Sequence, residues 1–258
     1  ILTDLGGEFR GLATLDLATG ALLPLRGMRA ADVEAAALSR DGRRLAFTVN
    51  DAGRSQLFVM TTASRVPRAV AGVPTGVIGG LQWHPDRAEL GFTLSGARSP
   101  ADAWSLDATT GRVTRWTESE LGGLNAAELR DPEPVRWASF DGREITGFLY
   151  RPPARFTGPR PVIIDIHGGP ESQARPGFRG RSNYYLLELG VAIVTPNVRG
   201  STGFGRSFVA LDNGLKREDS VREREDTYRR RLDAKLDEQL REGRREIDAI
   251  IEGLKART

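Results

Sequence analysis

The chain has 258 residues, with 37 lysines and arginines against 34 aspartates and glutamates, and a formal net charge of +3 at pH 7. So small and scattered a surplus excludes the basic stripe of a nucleic-acid-binding protein, and the apolar runs are too short to span a bilayer. The absence of cysteine excludes disulfides and a thiol nucleophile. We expect a soluble, cytoplasmic protein without cofactor, although a start without methionine leaves a removed signal peptide open.

A repeat with a period of about 45 residues runs through the first half of the chain. LDLATG from Leu15, MTTASR from Met60 and LDATTG from Leu106 occupy equivalent places. A second phase, SRDGRRLAFT from Ser39 and HPDRAELGFT from His84, recurs at the same distance. This period is typical of a four-stranded propeller blade.

The alternating segments predict strands at 45–49, 56–61, 68–70, 81–83, 89–94, 103–106 and 112–116. A β-sandwich of short strands is the alternative that single-sequence patterns leave open. Because two phases recur together, the pattern favours about two and a half blades of a β-propeller over residues 1–123.

Residues 124–136 are predicted to be an inter-domain linker, since Pro132 and Pro134 should break any regular element there. Asp141-Gly142 then predicts a hairpin between VRWASF and EITGFLY.

The segment PVIIDIHGGP, residues 161–170, predicts a strand that is buried on both faces and ends in a glycine turn. A short helix should follow, with Asn183 as N-cap and Gly190 at its C-terminal end. A second buried strand, VAIVTP, comes next. This order predicts a parallel α/β sheet, in which ligands bind at the carboxyl ends of the strands.

Three strings of this region, HGGPESQARPGF, LGVAIVTPNVRGSTGFGRSF and LDNGLKREDS, resemble the start of the catalytic domain of the prolyl oligopeptidase family. Its members, among them acylaminoacyl peptidases and dipeptidyl aminopeptidases, are serine peptidases in which an α/β-hydrolase domain is joined to a β-propeller. The resemblance extends over residues 1–221. It implies that residues 137–221 are the N-terminal part of an α/β-hydrolase domain and that the substrate of the full-length relative is a peptide.

The resemblance also implies an oxyanion hole in the HGGP loop. Gly169 is the best candidate for its first backbone N–H donor, because only glycine lets the main chain approach a developing oxyanion so closely. Gly168 would help to form the hole, and His167 and Pro170 would complete the loop. A tight strand-to-helix turn without function is the alternative.

A serine triad cannot be built from this chain. The sequence contains no G-x-S-x-G nucleophile elbow, and Ser201 in RGSTGFG is predicted to be a turn residue. Of the two histidines, His84 is expected to cap or flank a propeller turn, and His167 belongs to the oxyanion loop. Two distant histidines without cysteine also predict no metal site.

Residues 222–258 depart from the family and predict a highly charged amphipathic helix, beginning at a capping box of Ser220 and Glu223. One narrow apolar stripe runs along it, formed by Leu232, Leu236, Leu240, Ile247, Ile250 and Leu254. A short coiled coil and a solvated helix without a partner fit this stripe equally well.

The functional hypothesis is a serine peptidase of this family, truncated before its nucleophile and therefore inactive alone. The alternative is a non-catalytic interaction protein that oligomerises through the C-terminal helix, and an esterase completed by a partner chain is a third possibility. Self-association through residues 222–258 or through exposed strand edges is expected.

Overall fold

The computed structural model describes residues 1–25, 30–169 and 171–255. The chain divides into two compact units, Ile1–Leu211 and Asp212–Thr258. The predicted boundaries after residues 123, 136 and 221 stay predictions.

Before residue 116, the described part of the chain forms three antiparallel sheets. The first contains β1–β3, the second β4–β7 and the third β8–β11, each in sequence order. The strands are β1 (Leu2–Thr3), β2 (Gly11–Leu15), β3 (Leu22–Pro24), β4 (Val33–Leu38), β5 (Arg44–Asp51), β6 (Arg54–Thr61), β7 (Arg68–Ala69), β8 (Val77–Trp83), β9 (Glu89–Gly96), β10 (Ser99–Asp107) and β11 (Val113–Arg115).

The repeat recognised in the sequence corresponds to one recurring turn, which precedes the last strand of each of the three sheets. Asp16 and Asp107 each accept two backbone N–H bonds through Oδ1, and the fifth residue of each turn, Gly20 or Gly111, adopts a left-handed backbone with φ near +71° or +79°. In the middle repeat Arg65 adopts the same region, with φ of 52°. Glycine takes this conformation without steric cost, whereas arginine does not.

The sheets pack on one another through their apolar faces. One core joins the second and third sheets, where the Trp83 indole N–H also donates to the Ala37 carbonyl at 2.9 Å. Its buried members are Ala46, Leu57, Ile78, Trp83, Leu90, Phe92, Leu94 and Leu106. A smaller core joins the first and second sheets through Leu12, Val33, Phe47 and Val49.

A mixed sheet follows, in the order β12-β13-β15-β14. Its strands are β12 (Glu133–Ala138), β13 (Glu144–Tyr150), β14 (Val162–Ile164) and β15 (Ala192–Asn197), with the short helices α1 (Asn183–Leu187) and α2 (Arg206–Val209) around them. The hairpin predicted at Asp141-Gly142 is present, and so is the parallel pairing of β14 with β15. The predicted break at Pro134 is wrong: Pro134 lies in β12, an edge strand, where a missing N–H is tolerated.

The prediction that β14 is buried on both faces is wrong. Val162 is 54% exposed and Ile164 66%, while β15 is mostly buried, as predicted. The reason lies in α1, whose Leu186 and Leu187 pack on β13 and β15 rather than on β14. Within the described residues β14 is an edge strand of its sheet and contributes to none of the buried cores, so its apolar side chains face solvent.

The sequence predicted Asn183 as the N-cap of α1, and this prediction is wrong. Asn183 is the first helical residue, its side chain is 2% exposed, and the N-cap position belongs to Ser182, which makes no side-chain capping bond. Gly190 does end this segment, with φ of +62°.

The C-terminal helix α3 spans Lys216–Lys255. It begins four residues before the predicted start, and the side chains of Ser220 and Glu223 lie outside the described residues. Leu232, Leu236 and Leu240 of the stripe are exposed, and the side chains of Ile247, Ile250 and Leu254 are not described. Among the helices of the described segments, none is both long and apolar enough to cross a membrane.

Candidate functional site

The predicted oxyanion loop lies at the carboxyl end of β14. The parallel ladder continues one residue beyond that strand, where the Asp165 N–H donates to the Val194 carbonyl at 2.8 Å. His167 is half-buried, and Gly168 and Gly169 are exposed. In the part of the chain that the structure describes, neither glycine N–H donates to a protein acceptor. Pro170, the fourth predicted loop residue, lies outside the described residues.

Gly169 lies at a close approach of the main chain to itself. A Cβ atom added there would lie 3.1 Å from the Glu171 nitrogen, whereas one at Gly168 would meet nothing within 4 Å. Neither glycine has a left-handed φ, so crowding and not backbone conformation favours glycine at 169.

His167 contacts the RGSTGFG turn through Ser201, which is completely buried. The Ser201 hydroxyl donates to the Val198 carbonyl at 2.6 Å, and its oxygen lies 2.8 Å from His167 Nε2. Because the hydroxyl proton is directed to Val198, Ser201 presents an acceptor to the histidine. The other ring nitrogen, Nδ1, lies 3.0 Å from the Gly168 carbonyl oxygen. The prediction that Ser201 is a turn residue is confirmed.

Replacing Ser201 by alanine tests this structural role. Ser201→Ala removes the hydroxyl that joins Val198 to His167 in a buried place, so we expect a loss of about 1–2 kcal/mol in the free energy of unfolding. Urea denaturation measures it. The matched variant Ser64→Ala removes an exposed hydroxyl and should stay within about 0.5 kcal/mol of wild type. Equal stabilities of the two variants would contradict the assigned role.

An ion pair borders the loop on its other side. Asp165 pairs with Arg179, whose guanidinium carbon lies 5.2 Å from the centre of the Tyr150 ring. Burial raises the pKa of the Tyr150 phenol to about 12, although Arg179 acts in the opposite direction. Tyr150 is therefore neutral at physiological pH.

The residues that follow Pro170 are anchored to the end of β15. The Ala174 N–H donates to Asn197 Oδ1 at 2.7 Å, and Asn197 is 1% exposed. The Thr202 N–H donates to the Ser172 carbonyl at 2.9 Å. The loop thus starts at the end of β14 and is fixed again at the end of the neighbouring strand.

No family model matches the chain. Among curated proteins it is 31% identical over 127 residues to dipeptidyl aminopeptidase BIII of Pseudoxanthomonas mexicana, covering 46% of this chain and 18% of that protein. It is 30% identical over 118 residues to the dual function macrocyclase-peptidase POPB of Amanita bisporigera, covering 44% of this chain and 16% of that protein. The chain therefore spans less than a fifth of the length of these relatives.

Solved structures match more of the chain. Prolyl oligopeptidase B from Galerina marginata, bound to a 25mer macrocyclization substrate, matches 84% of this chain and 30% of its own, with a TM-score of 0.73 at 18% identity. A puromycin hydrolase matches 78% of this chain and 32% of its own, with a TM-score of 0.67 at 23% identity. At these identities the likeness shows the fold.

The relatives of this chain are peptidases of the prolyl oligopeptidase family. The resemblance found in the sequence is thus confirmed over part of the chain, and the likeness in fold extends through the antiparallel sheets.

Neither of the two histidines lies where a serine peptidase would need its general base. His84 Nδ1 accepts the N–H groups of Asp86 and Arg87 at 3.0 and 3.1 Å, which is the predicted turn-capping role. His167 contacts the buried Ser201 and not a nucleophile on an elbow. Arg199 forms an ion pair with Asp141 at 2.9 Å. The assignment of the oxyanion hole to Gly168 and Gly169 stays a prediction.

Sequence reasoning missed a polar cluster beside the loop. It consists of Glu34, Asn50 and Ser55 of the second sheet and of Gln173 and Arg175 of the HGGPESQARPGF string. The only signal in the sequence was the turn-forming Asn-Asp-Ala-Gly at residues 50–53, because contacts over more than 100 residues leave no local pattern.

Proposed function

We propose that this chain is part of a serine-type peptidase of the prolyl oligopeptidase family and that it supplies the oxyanion loop of the active site. The observation that carries the proposal is the glycine pair at the carboxyl end of a parallel strand: both residues are exposed, and neither N–H donates to an acceptor among the described residues. Peptidase relatives and peptide-bound structural neighbours support it.

The proposed chemistry is the stabilisation of negative charge. When a serine attacks a peptide carbonyl, the carbonyl oxygen becomes an oxyanion, and a fixed backbone N–H lowers the barrier if it points at that oxygen. Gly169 would donate this hydrogen bond, assisted by Gly168. His167 and its contact to Ser201 would hold the start of the loop, so that the donor needs no rearrangement during the reaction.

We further propose that these 258 residues do not hydrolyse peptides by themselves. The sequence contains no G-x-S-x-G, and neither histidine is available as a general base, since His84 caps a turn and His167 contacts Ser201. The proposal includes a propeller part over 1–123, a linker over 124–136 and an α/β-hydrolase part over 137–221. The charged helix would take no part in the chemistry. None of the relatives supports the alternative of an interaction protein that oligomerises through it.

A fluorophosphonate probe, which reacts with activated serines, tests this predicted lack of activity. We expect no serine of the purified chain to be labelled, because no serine whose side chain the structure describes is both exposed and next to a free histidine base. Intact-mass spectrometry measures labelling, with a full-length peptidase of the family as the positive control. Labelling of any single serine, Ser201 included, would contradict the proposal.

A further inference from the structure

A hairpin tip of the second sheet contacts the loop that follows the two glycines. We define the hairpin tip as residues 50–54, the end of β5, the turn and the first residue of β6, and the following loop as residues 171–176. We propose that the hairpin tip, together with Glu34 of β4 in the same sheet, positions the turn of His167, Gly168 and Gly169. The catalytic meaning of this positioning depends on the function proposed above, whereas the contacts themselves do not.

The closest approach occurs at Gly53. Ala52 and Gly53 have φ values of 50° and 96°, the left-handed pair that closes a two-residue hairpin turn. A Cβ atom at Gly53 would lie 2.8 Å from the Ala174 carbonyl oxygen and 3.0 Å from the Phe148 ring. Any side chain at Gly53 would therefore push the following loop away from the hairpin tip.

Arg175 makes the strongest of the polar contacts. Its guanidinium forms a two-pronged pair with Glu34, at 2.6 and 3.0 Å, and both side chains are at least three-quarters buried. Arg175 Nε also donates to the Gly53 carbonyl at 2.9 Å, and Nη2 to Ser55 Oγ at 3.1 Å. Four of the five guanidinium N–H groups thus have acceptors, and a planar fork held in this way fixes orientation as well as distance.

Asn50 completes the contact inside the interface, where it is 4% exposed. Its Nδ2 donates to Gln173 Oε1 at 2.7 Å and to Glu34 Oε1 at 3.1 Å, while its Oδ1 accepts the Gly53 N–H at 2.7 Å. One buried amide thus ties the following loop to the turn of the hairpin tip.

The following loop is consequently fixed from two sides. Asn197 and Thr202 anchor Ala174 and Ser172 on the side of the mixed sheet. The hairpin tip and Glu34 anchor Gln173 and Arg175 to the second sheet. Ser172 is three residues from Gly169, so a displacement of the loop is transmitted to the glycine N–H groups over a very short length of chain.

Nuclear magnetic resonance on the purified chain tests the proposal. In wild type we expect 15N order parameters near 0.85 for Gly168 and Gly169, typical of a rigid backbone. In Glu34→Gln and Arg175→Met, both should fall below about 0.6, while Gly91 in β9 stays unchanged. Arg175→Lys keeps the charge but loses the fork, and should give intermediate values.

The matched control is Arg136→Met, which removes an arginine from an exposed pair with Glu144 and should leave both loop glycines unchanged. Rigid loop glycines in folded Glu34→Gln and Arg175→Lys proteins would overturn the proposal. So would mobile loop glycines in wild type, or an equal loss of order at Gly91. Because this readout needs no catalysis, its failure is distinct from labelling by the fluorophosphonate, which would overturn only the proposed function.

Discussion

Asp102→Asn should lower the free energy of unfolding by about 3 kcal/mol. The carboxylate is 1% exposed and accepts four hydrogen bonds, from Ser99 Oγ, Arg115 Nη2, Thr117 Oγ1 and the Ser119 N–H, at 2.6 to 2.9 Å. Asparagine keeps the shape, but it replaces one acceptor with a donor and leaves the Arg115 guanidinium without its counter-charge. Urea denaturation at pH 7 measures the loss.

The loss of stability caused by Asp102→Asn should be full at neutral pH and become smaller at acidic pH. Burial alone would raise the pKa of Asp102, but the hydrogen bonds from Ser99, Thr117, Arg115 and Ser119 outweigh it and hold the pKa well below its usual range. A depressed carboxyl pKa stabilises the fold above the unfolded-state pKa of about 3.9, and this contribution is lost as the pH falls further.

The difference between wild type and Asp102→Asn should therefore be constant from pH 7 to about 5 and shrink below about 4. Asp86→Asn, at an exposed turn residue, is the matched control and should change stability by less than about 0.5 kcal/mol. A pH-independent difference would refute the role assigned to the Asp102 charge.

Gly169→Ala should lower kcat by about 100-fold when the loop works in a complete enzyme. To test this, residues 167–178 of this chain replace the corresponding loop of a full-length peptidase of the family, and the kcat and KM of the hybrid enzyme are measured with and without Gly169→Ala. The added Cβ would lie 3.1 Å from the Glu171 nitrogen, so the turn must shift and the N–H moves away from the oxyanion. Because the N–H acts in the transition state, KM should change little.

Gly177→Ala within the same graft is the control, since a Cβ at Gly177 meets nothing within 4 Å and its φ is not left-handed. It should retain the kcat of the unmutated graft. An equal loss in both variants, or a loss confined to KM, would show that Gly169 does not supply the oxyanion donor.

The sequence predicted those features of the fold that local chemistry determines. The recurring turns depend on Asp16 or Asp107, or on Thr61 in the middle repeat, and on a left-handed fifth residue, all within five positions of one another. The Asp141-Gly142 hairpin and the parallel pairing of β14 with β15 likewise follow from turn residues and apolar runs.

What the sequence could not predict are features that depend on distant packing. The run Val162–Ile164 has the apolar pattern of a buried strand, but α1 packs elsewhere and the strand stays exposed. Asn183 has the preferred chemistry of an N-cap, yet it is the first residue of α1 and tertiary packing buries it. At the candidate site, the glycine pair was visible as a motif, whereas its contact with the hairpin tip was not.

The two partners of the hairpin-tip contact are far apart in sequence. Gly53 and Arg175 are separated by 122 residues. Because ribosomes release a chain from its N-terminus, the β5–β6 turn exists well before Arg175 is synthesised. The second sheet can consequently fold first, and the following loop would pack on it late in folding. At this step the entropic cost of closing the 122-residue separation between Gly53 and Arg175 must be overcome.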